Sequence, residues 1–221
     1  MTAAIDPVQA SAAFFNPQSR APNPADLSAL YIFLSKHPHG RTLLHHVASL
    51  TDVLHLFAVH REDVRNLPNA ENYVRLLIDW ANGGPIAPVS EARTGIIALP
   101  LLLILQLGEY LRYLDFHGIS HADFIAQIQK GGGIHGCCAG EPPALSIACA
   151  KDEGQIMDNA AVFLRIMVGM GAYIEALDDW TTSESNILAV RLKYEGQEEE
   201  FTKMFPRVSP KMLANLEQKA R

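Results

Sequence analysis

The chain has 221 residues, 48% of them hydrophobic and 19% charged, with a formal net charge of -6 at pH 7. That is the composition of a globular domain with a sizeable core, and it excludes a disordered segment. The acidic balance, with no basic run and no aromatic-basic interleave, excludes a general nucleic-acid-binding role.

From Met1 to Ala13 there is no basic stretch followed by an apolar run, the pattern of a secretory signal. The first 25 residues are small, polar and proline-rich, with one apolar pair at Phe14-Phe15. That pair predicts a short strand, followed by a loop through Asn16 to Arg20 that contains Gln18. From Asp26, a fair N-cap, Leu27, Leu30, Tyr31 and Leu34 recur at helical spacing, and His37-Pro38-His39-Gly40 is expected to end the run. Residues 41 to 66 predict one or two more helices, with Leu43, Leu44, Val47, Leu50, Val53, Leu54 and Phe57 inward.

Pro68-Asn69 breaks the chain before a helix carrying Tyr73, Leu76, Leu77 and Trp80, which stops at Asn82-Gly83-Gly84-Pro85. A long apolar helix is predicted over 94 to 117, with Pro100 near its first turns. Its strongest run, Ile96 to Leu107, is too short for a bilayer span of ~20 residues and reads as a buried core helix. A short helix follows over 120 to 130, and helical spacing resumes at Ala144. A longer helix then turns Ile156, Ala160, Phe163, Leu164, Met167, Met170 and Ile174 inward. Asn186 to Lys193 alternates as a strand does, and the end is polar and helical. The fold class is α/β and helix-rich, with a small or incomplete sheet.

Between the predicted helices at 120 and 144 lies Gly131-Gly-Gly-Ile-His-Gly-Cys-Cys-Ala-Gly140. Gly136 to Gly140 reads as G-x-C-x-G, the cysteine form of a nucleophile elbow. Such a turn joins a strand to a helix, needs small flanking residues where the backbones approach, and aims a helix N-terminus at the central residue. Cys138 is then a nucleophile, and the backbone N-H of Ala139 an oxyanion donor. The competing reading is a glycine loop followed by a buried structural cysteine. The three cysteines, Cys137, Cys138 and Cys149, are odd in number and two are adjacent, which suits a reduced, cytoplasmic compartment better than a disulfide framework. No Cys-x-x-Cys or His-Glu-x-x-His supports a metal site.

Several stretches, in order, resemble one family. They are FFNPQSRAP at 14 to 22, HREDV at 60 to 64, GIIALPLLLILQL at 95 to 107, HGISHADFIAQ at 117 to 127, GGGIHGCCAGEPPALSIACA at 131 to 150, NAAVFLRIMVGMGAY at 159 to 173, and VRLKYEGQEEEFTKMFP at 190 to 206. The chain is similar to the starter-unit acyl-carrier-protein transacylase domain that opens fungal non-reducing polyketide synthases. The resemblance implies a malonyl-transferase-like acyltransferase fold, with an α/β-hydrolase-like large lobe and a ferredoxin-like small lobe. It implies that Cys138 takes a starter acyl group from acyl-coenzyme A or an acyl carrier and passes it to an acyl carrier protein, with Gln18 helping to form the oxyanion hole and no bound cofactor.

By the same resemblance, residues 1 to 206 form a truncated domain and 207 to 221 a polar helical tail. The small lobe and the family's catalytic histidine lie beyond the matched half, so the isolated chain is expected to be weakly active or inactive and to self-associate or bind a synthase. His135 is a base candidate, although on an incoming strand it points along the strand. His117 and His121 flank a helix end as caps or exposed groups, and the other six histidines cluster at 37 to 60. Arg165, matched to a substrate-holding arginine of malonyl transferases, reads as structural, and Glu141 as a helix cap. Asp178-Asp179 and Glu198 to Glu200 read as solvated ends. The alternative function is a non-catalytic accessory protein of a polyketide pathway that binds a synthase, a carrier protein or a product; a further alternative is a truncated product with no stable fold.

Overall fold

In the computed structural model the chain divides into two compact units, Met1–Asp179 and Trp180–Arg221. The residues described are 12–15, 23–59, 61–91 and 94–177, all in the first unit. Gln18, the predicted strand at 186 to 193, the carboxylates at 178, 179 and 198 to 200, and the tail from 207 lie outside them.

The expected first strand is β1 (Ala12–Phe15). Helix α1 (Pro24–Lys36) follows, and its cap differs from the expectation. Asn23 is the N-cap and Asp26 the third helical residue. The Asn23 side chain accepts the Asp26 N-H at 2.8 Å and the Asp26 carboxylate accepts the Asn23 N-H at 3.2 Å. Asp26 thus completes a reciprocal capping box rather than opening the helix. The expected break at His37 to Gly40 is a junction. His37 ends α1, and its Nδ1 accepts the Gly40 N-H at 3.2 Å to start α2 (Pro38–Ala48), where a proline at the first position loses no intrahelical bond.

Three helical segments, not one or two, cover residues 41 to 66: the body of α2, α3 (Val53–Ala58) and α4 (Glu62–Arg65). They are separated by Asp52 in the left-handed conformation (φ 60°) and Arg61 in an extended one (φ -138°). Helix α5 (Ala70–Ala81) buries Val74, Leu77 and Trp80, with Tyr73 and Leu76 half-buried beside them. A short α6 (Ala87–Glu91), not expected from the sequence, leads to α7 (Gly95–His117).

Helix α7 is the axis of the core. Ile96, Ile97, Leu101, Leu103, Ile104, Leu107, Leu111 and Leu114 are buried, and α10 (Glu153–Leu177), α5, α1 and α2 pack around them. Among the described residues α7 is long and apolar enough to cross a membrane, but 61% of that window is buried inside the protein, as a core helix requires. Thr94 caps α7, its Oγ1 accepting the Ile96 N-H at 3.2 Å, while the buried Glu175 carboxylate accepts the same N-H at 3.2 Å and the Thr94 hydroxyl. The two helices cross closely there: a Cβ on Gly171 would overlap the Gly95 carbonyl group.

Helix α8 (His121–Ile128), β2 (Gly133–Gly136), a 3-10 turn (Cys138–Gly140), α9 (Glu141–Ala148) and α10 (Glu153–Leu177) complete the unit. On α10, Ile156, Ala160, Leu164 and Met167 are buried as expected, joined by Met157, Val168 and Ala172. Met170 and Ile174, expected inward, are exposed on the opposite face with Val162, Ile166 and Tyr173. Glycines at 169 and 171, not the larger Met170, occupy the close contacts with Phe57 and α7. Strands β1 and β2 pair in parallel, Ala12 with Gly133 through Phe15 with Gly136, so the architecture of the described residues is helix-rich with a two-stranded parallel sheet.

Candidate active site around Cys138

The sheet ends at the G-x-C-x-G sequence. The Cys137 N-H donates to the Phe15 carbonyl at 3.0 Å, one bond past the paired register. The chain then turns sharply. Cys137 is extended (φ -128°, ψ 127°), and Cys138 is left-handed at φ 53°. The Gly140 N-H donates to the Cys137 carbonyl at 2.9 Å, closing the 3-10 turn, and α9 starts at the next residue. A left-handed non-glycine residue costs about 1–2 kcal/mol. Strain of that kind collects at functional turns, and a nucleophile elbow is built on it.

Gly136 makes the turn sterically feasible. A Cβ there would stand 2.6 Å from both the Glu141 Cα and the Gly140 carbonyl oxygen, and 2.9 Å from the Ala144 Cβ. The strand and the first turn of α9 therefore touch backbone to backbone. Gly140 is buried and right-handed, with φ -84°. Glu141 is the first residue of α9 and exposed, with no side-chain cap bond made at that helix start.

Cys138 is exposed, as are Cys137 and Cys149. The reading of Cys138 as a buried structural thiol does not fit this placement. His135 lies on β2, exposed, its ring stacked on Phe14 with centroids 4.9 Å apart. Its Nε2 is 2.5 Å from the Gly132 carbonyl oxygen, which can only accept, so Nε2-H is the donor and Nδ1 is the nitrogen left for another partner. Among the described residues no histidine hydrogen-bonds Cys138, and no group of three or more His, Cys, Asp or Glu is placed to hold a metal ion.

The remaining named residues serve the frame. Arg165 on α10 donates to the Ala161 carbonyl at 2.7 Å in its own helix. His117 is half-buried against Tyr113, ring centroids 4.4 Å apart. His121, expected as a cap or an exposed group, is 1% exposed. Its Nε2 lies 3.0 Å from the Ala150 carbonyl oxygen and its Nδ1 2.7 Å from the Tyr110 hydroxyl. The carbonyl accepts, so Nε2-H donates to it, and Nδ1 accepts the hydrogen bond of the Tyr110 hydroxyl; both ring nitrogens are satisfied. Burial, with lesser effects from the charges of Glu153 and Tyr113, pushes the Tyr110 hydroxyl well above its usual range and keeps it a donor.

That network ties α7 and α8 to the segment just after α9. A second tie is the Asn159 side chain on α10, whose Nδ2 donates to the Ser146 carbonyl at 3.0 Å. The helix behind Cys138 is thus held at its far end and along one side. Neither tie was legible in the sequence. The Ser120-x-x-Asp123 capping box does mark where α8 begins, but not that the next residue is buried.

The sequence model of the family described as "Starter unit:ACP transacylase in aflatoxin biosynthesis" matches residues 45–219. The chain belongs to the starter unit:ACP transacylase family. Among curated proteins, the chain is 52% identical over 204 residues to the non-reducing polyketide synthase Preu6 of Preussia isomera, covering 92% of this chain and 9% of that protein. It is 35% identical over 192 residues to the non-reducing polyketide synthase atr1 of Stereocaulon alpinum, covering 87% and 8%. It is 29% identical over 197 residues to the non-reducing polyketide synthase ascC of Acremonium egyptiacum, covering 89% and 9%. The chain therefore spans under a tenth of the length of these relatives, and the match takes in α7, the Cys138 turn, α9 and α10. The sequence resemblance and this family assignment agree.

Proposed function

We propose that this chain carries the acylation step of starter-unit transfer, with Cys138 as the nucleophile. The observation that supports it most directly is the left-handed, exposed Cys138 at φ 53°, set between a parallel strand and a helix. The Cys138 thiolate attacks the carbonyl carbon of an acyl thioester on coenzyme A or a carrier protein. The carbonyl electrons move onto oxygen, and the Ala139 N-H and the side chain of Gln18 are the donors assigned to that oxyanion. Collapse breaks the donor C-S bond, expels the donor thiolate, which takes up a proton, and leaves the acyl group on the Cys138 sulfur. The thiol of an acyl carrier protein then reverses these steps, restoring Cys138. His135, three residues before Cys138, is the histidine nearest to it in sequence and the candidate base.

A general base contributes ~10²- to 10⁴-fold to such a step, so single-turnover loading is the sensitive readout here, rather than steady-state rate. The test is intact-protein mass spectrometry of the reduced full chain after incubation with a panel of acyl-coenzyme A thioesters, followed by peptide mapping. The expected result is one acyl group on Cys138, lost in Cys138→Ala and retained in Cys149→Ala. Loading of Cys138→Ala at the wild-type level overturns the assignment. Absence of loading with every donor favours the accessory reading, in which the chain binds a synthase or carrier without acylation.

A further inference from the structure

The elbow carries a second thiol that the transfer reaction does not use. Cys137 immediately precedes Cys138, and both are exposed. The backbone between them is anchored on both sides: the Cys137 N-H is bonded to Phe15 at 3.0 Å, and the Cys137 carbonyl accepts from Gly140 at 2.9 Å. Two exposed cysteines, adjacent in sequence, therefore sit on one anchored turn. Cys149, also exposed, sits at the far end of α9.

We propose that Cys137 and Cys138 form a redox-closable dithiol that shuts the acylation site under peroxide and reopens under a dithiol reductant. A hydroperoxide oxidises the Cys138 thiolate: the sulfur attacks the distal peroxide oxygen, giving a sulfenic acid and releasing hydroxide (or alkoxide). The neighbouring Cys137 thiolate attacks that sulfenic sulfur. An S-S bond forms and hydroxide leaves, taking up the proton that the Cys137 thiol released on ionising and departing as water. The product is an eight-membered ring across one peptide bond. A thiolate of the reductant opens it by exchange and leaves as its own disulfide.

The physical case rests on adjacency. Consecutive Cα atoms across a trans peptide are ~3.8 Å apart, shorter than the ~4.4–6.8 Å that an unstrained disulfide spans, so the two thiols are within reach of each other but close only with strain. A ring closed here is strained and easily reduced, which marks a labile, regulatory bond rather than a structural one. Closure also protects the nucleophile. An exposed sulfenic acid without a resolving thiol goes on to sulfinic acid, which thiols do not reverse. The inference rests on Cys138 being the nucleophile for its functional consequence, but not for the chemistry of the pair.

The experiment treats the full chain carrying Cys149→Ser with hydrogen peroxide, alkylates remaining thiols with iodoacetamide, and maps the peptide by tandem mass spectrometry. Expected is a peptide that has lost two hydrogens, with neither Cys137 nor Cys138 alkylated, and that regains both alkylations after dithiothreitol. Acyl loading, measured in parallel, falls at least ~10-fold on oxidation and returns on reduction. In Cys137→Ser the loading is lost and does not return, and Cys138 gains two oxygens. Phenylarsine oxide, which bridges paired thiols, forms a one-to-one adduct with the reduced chain and not with Cys137→Ser. Alkylated Cys137 beside sulfinylated Cys138, or unmodified thiols throughout the peroxide series, overturns the proposal. Failure of the reduced protein to load acyl groups while the ring still forms counts against the functional reading alone.

Discussion

Replacing Gly136 by alanine tests the turn at its tightest point. The added Cβ would sit 2.6 Å from the Glu141 Cα and the Gly140 carbonyl oxygen, and 2.9 Å from the Ala144 Cβ. Carbon atoms prefer ~3.5–4.0 Å, so the overlap is about 1 Å. Two of the three neighbours are backbone atoms and the third is a Cβ, so no side chain can rotate away. Strand β2 must part from α9, or the turn must reshape. Overpacking of this kind costs about 1–3 kcal/mol, and three immobile contacts put Gly136→Ala near the upper figure. At ~2–4 °C per kcal/mol for a chain of this size, the melting temperature should fall by about 6–12 °C. Gly133 is the control. It is left-handed at φ 74° with nothing within 4 Å, so alanine there meets only the backbone cost of about 1–2 kcal/mol. Differential scanning fluorimetry on Gly136→Ala, Gly136→Val and Gly133→Ala separates the two effects. Gly136→Val should be worse than Gly136→Ala, because the penalty at that site grows with volume. A Gly136→Ala protein melting within about 1 °C of wild type would show that β2 and α9 do not approach as described.

Cys138→Gly should be more stable than Cys138→Ala by ~1 kcal/mol, since glycine adopts φ 53° without strain; equal denaturant midpoints would remove the strain argument for the elbow. Tyr110→Phe removes the donor to the His121 Nδ1 and leaves a buried nitrogen unpaired, for an expected loss of ~1–3 kcal/mol in urea unfolding; an unchanged midpoint would mean that the pair contributes nothing. The His46 pKa is lowered chiefly by burial, against an opposing pull from Asp158, and its Nε2 has no partner among the described residues. The unfolded chain therefore binds a proton here more readily, and the folded state loses stability as pH drops below about 6.5. His46→Gln should flatten the stability-against-pH curve between pH 7 and pH 5, and an unaltered slope would refute that sign.

What the sequence by itself determined is what local chemistry encodes. Apolar spacing of three and four residues placed α1, α5, α7, α8 and α10 close to their observed ranges, because a helix face is written in neighbouring residues. G-x-C-x-G located the strand, turn and helix around Cys138 for the same reason: the turn's requirements fall within five residues. The boundaries it misplaced were caps, where Asn23 and Asp26 compete for one role and reciprocal bonding decides between them. Only the tertiary structure decided which distant groups meet. The parallel pairing of β1 with β2 joins segments separated, among the described residues, by eight helices. Gly171 rather than Met170 faces α7 because two backbones cross there, and that turned Met170 and Ile174 outward. His121 is buried because Tyr110 and the Ala150 carbonyl, one on α7 and the other beyond α9, satisfy both its nitrogens. A residue's own neighbours in sequence do not record such partners, since burial of a polar group is set by what packing brings within hydrogen-bonding reach.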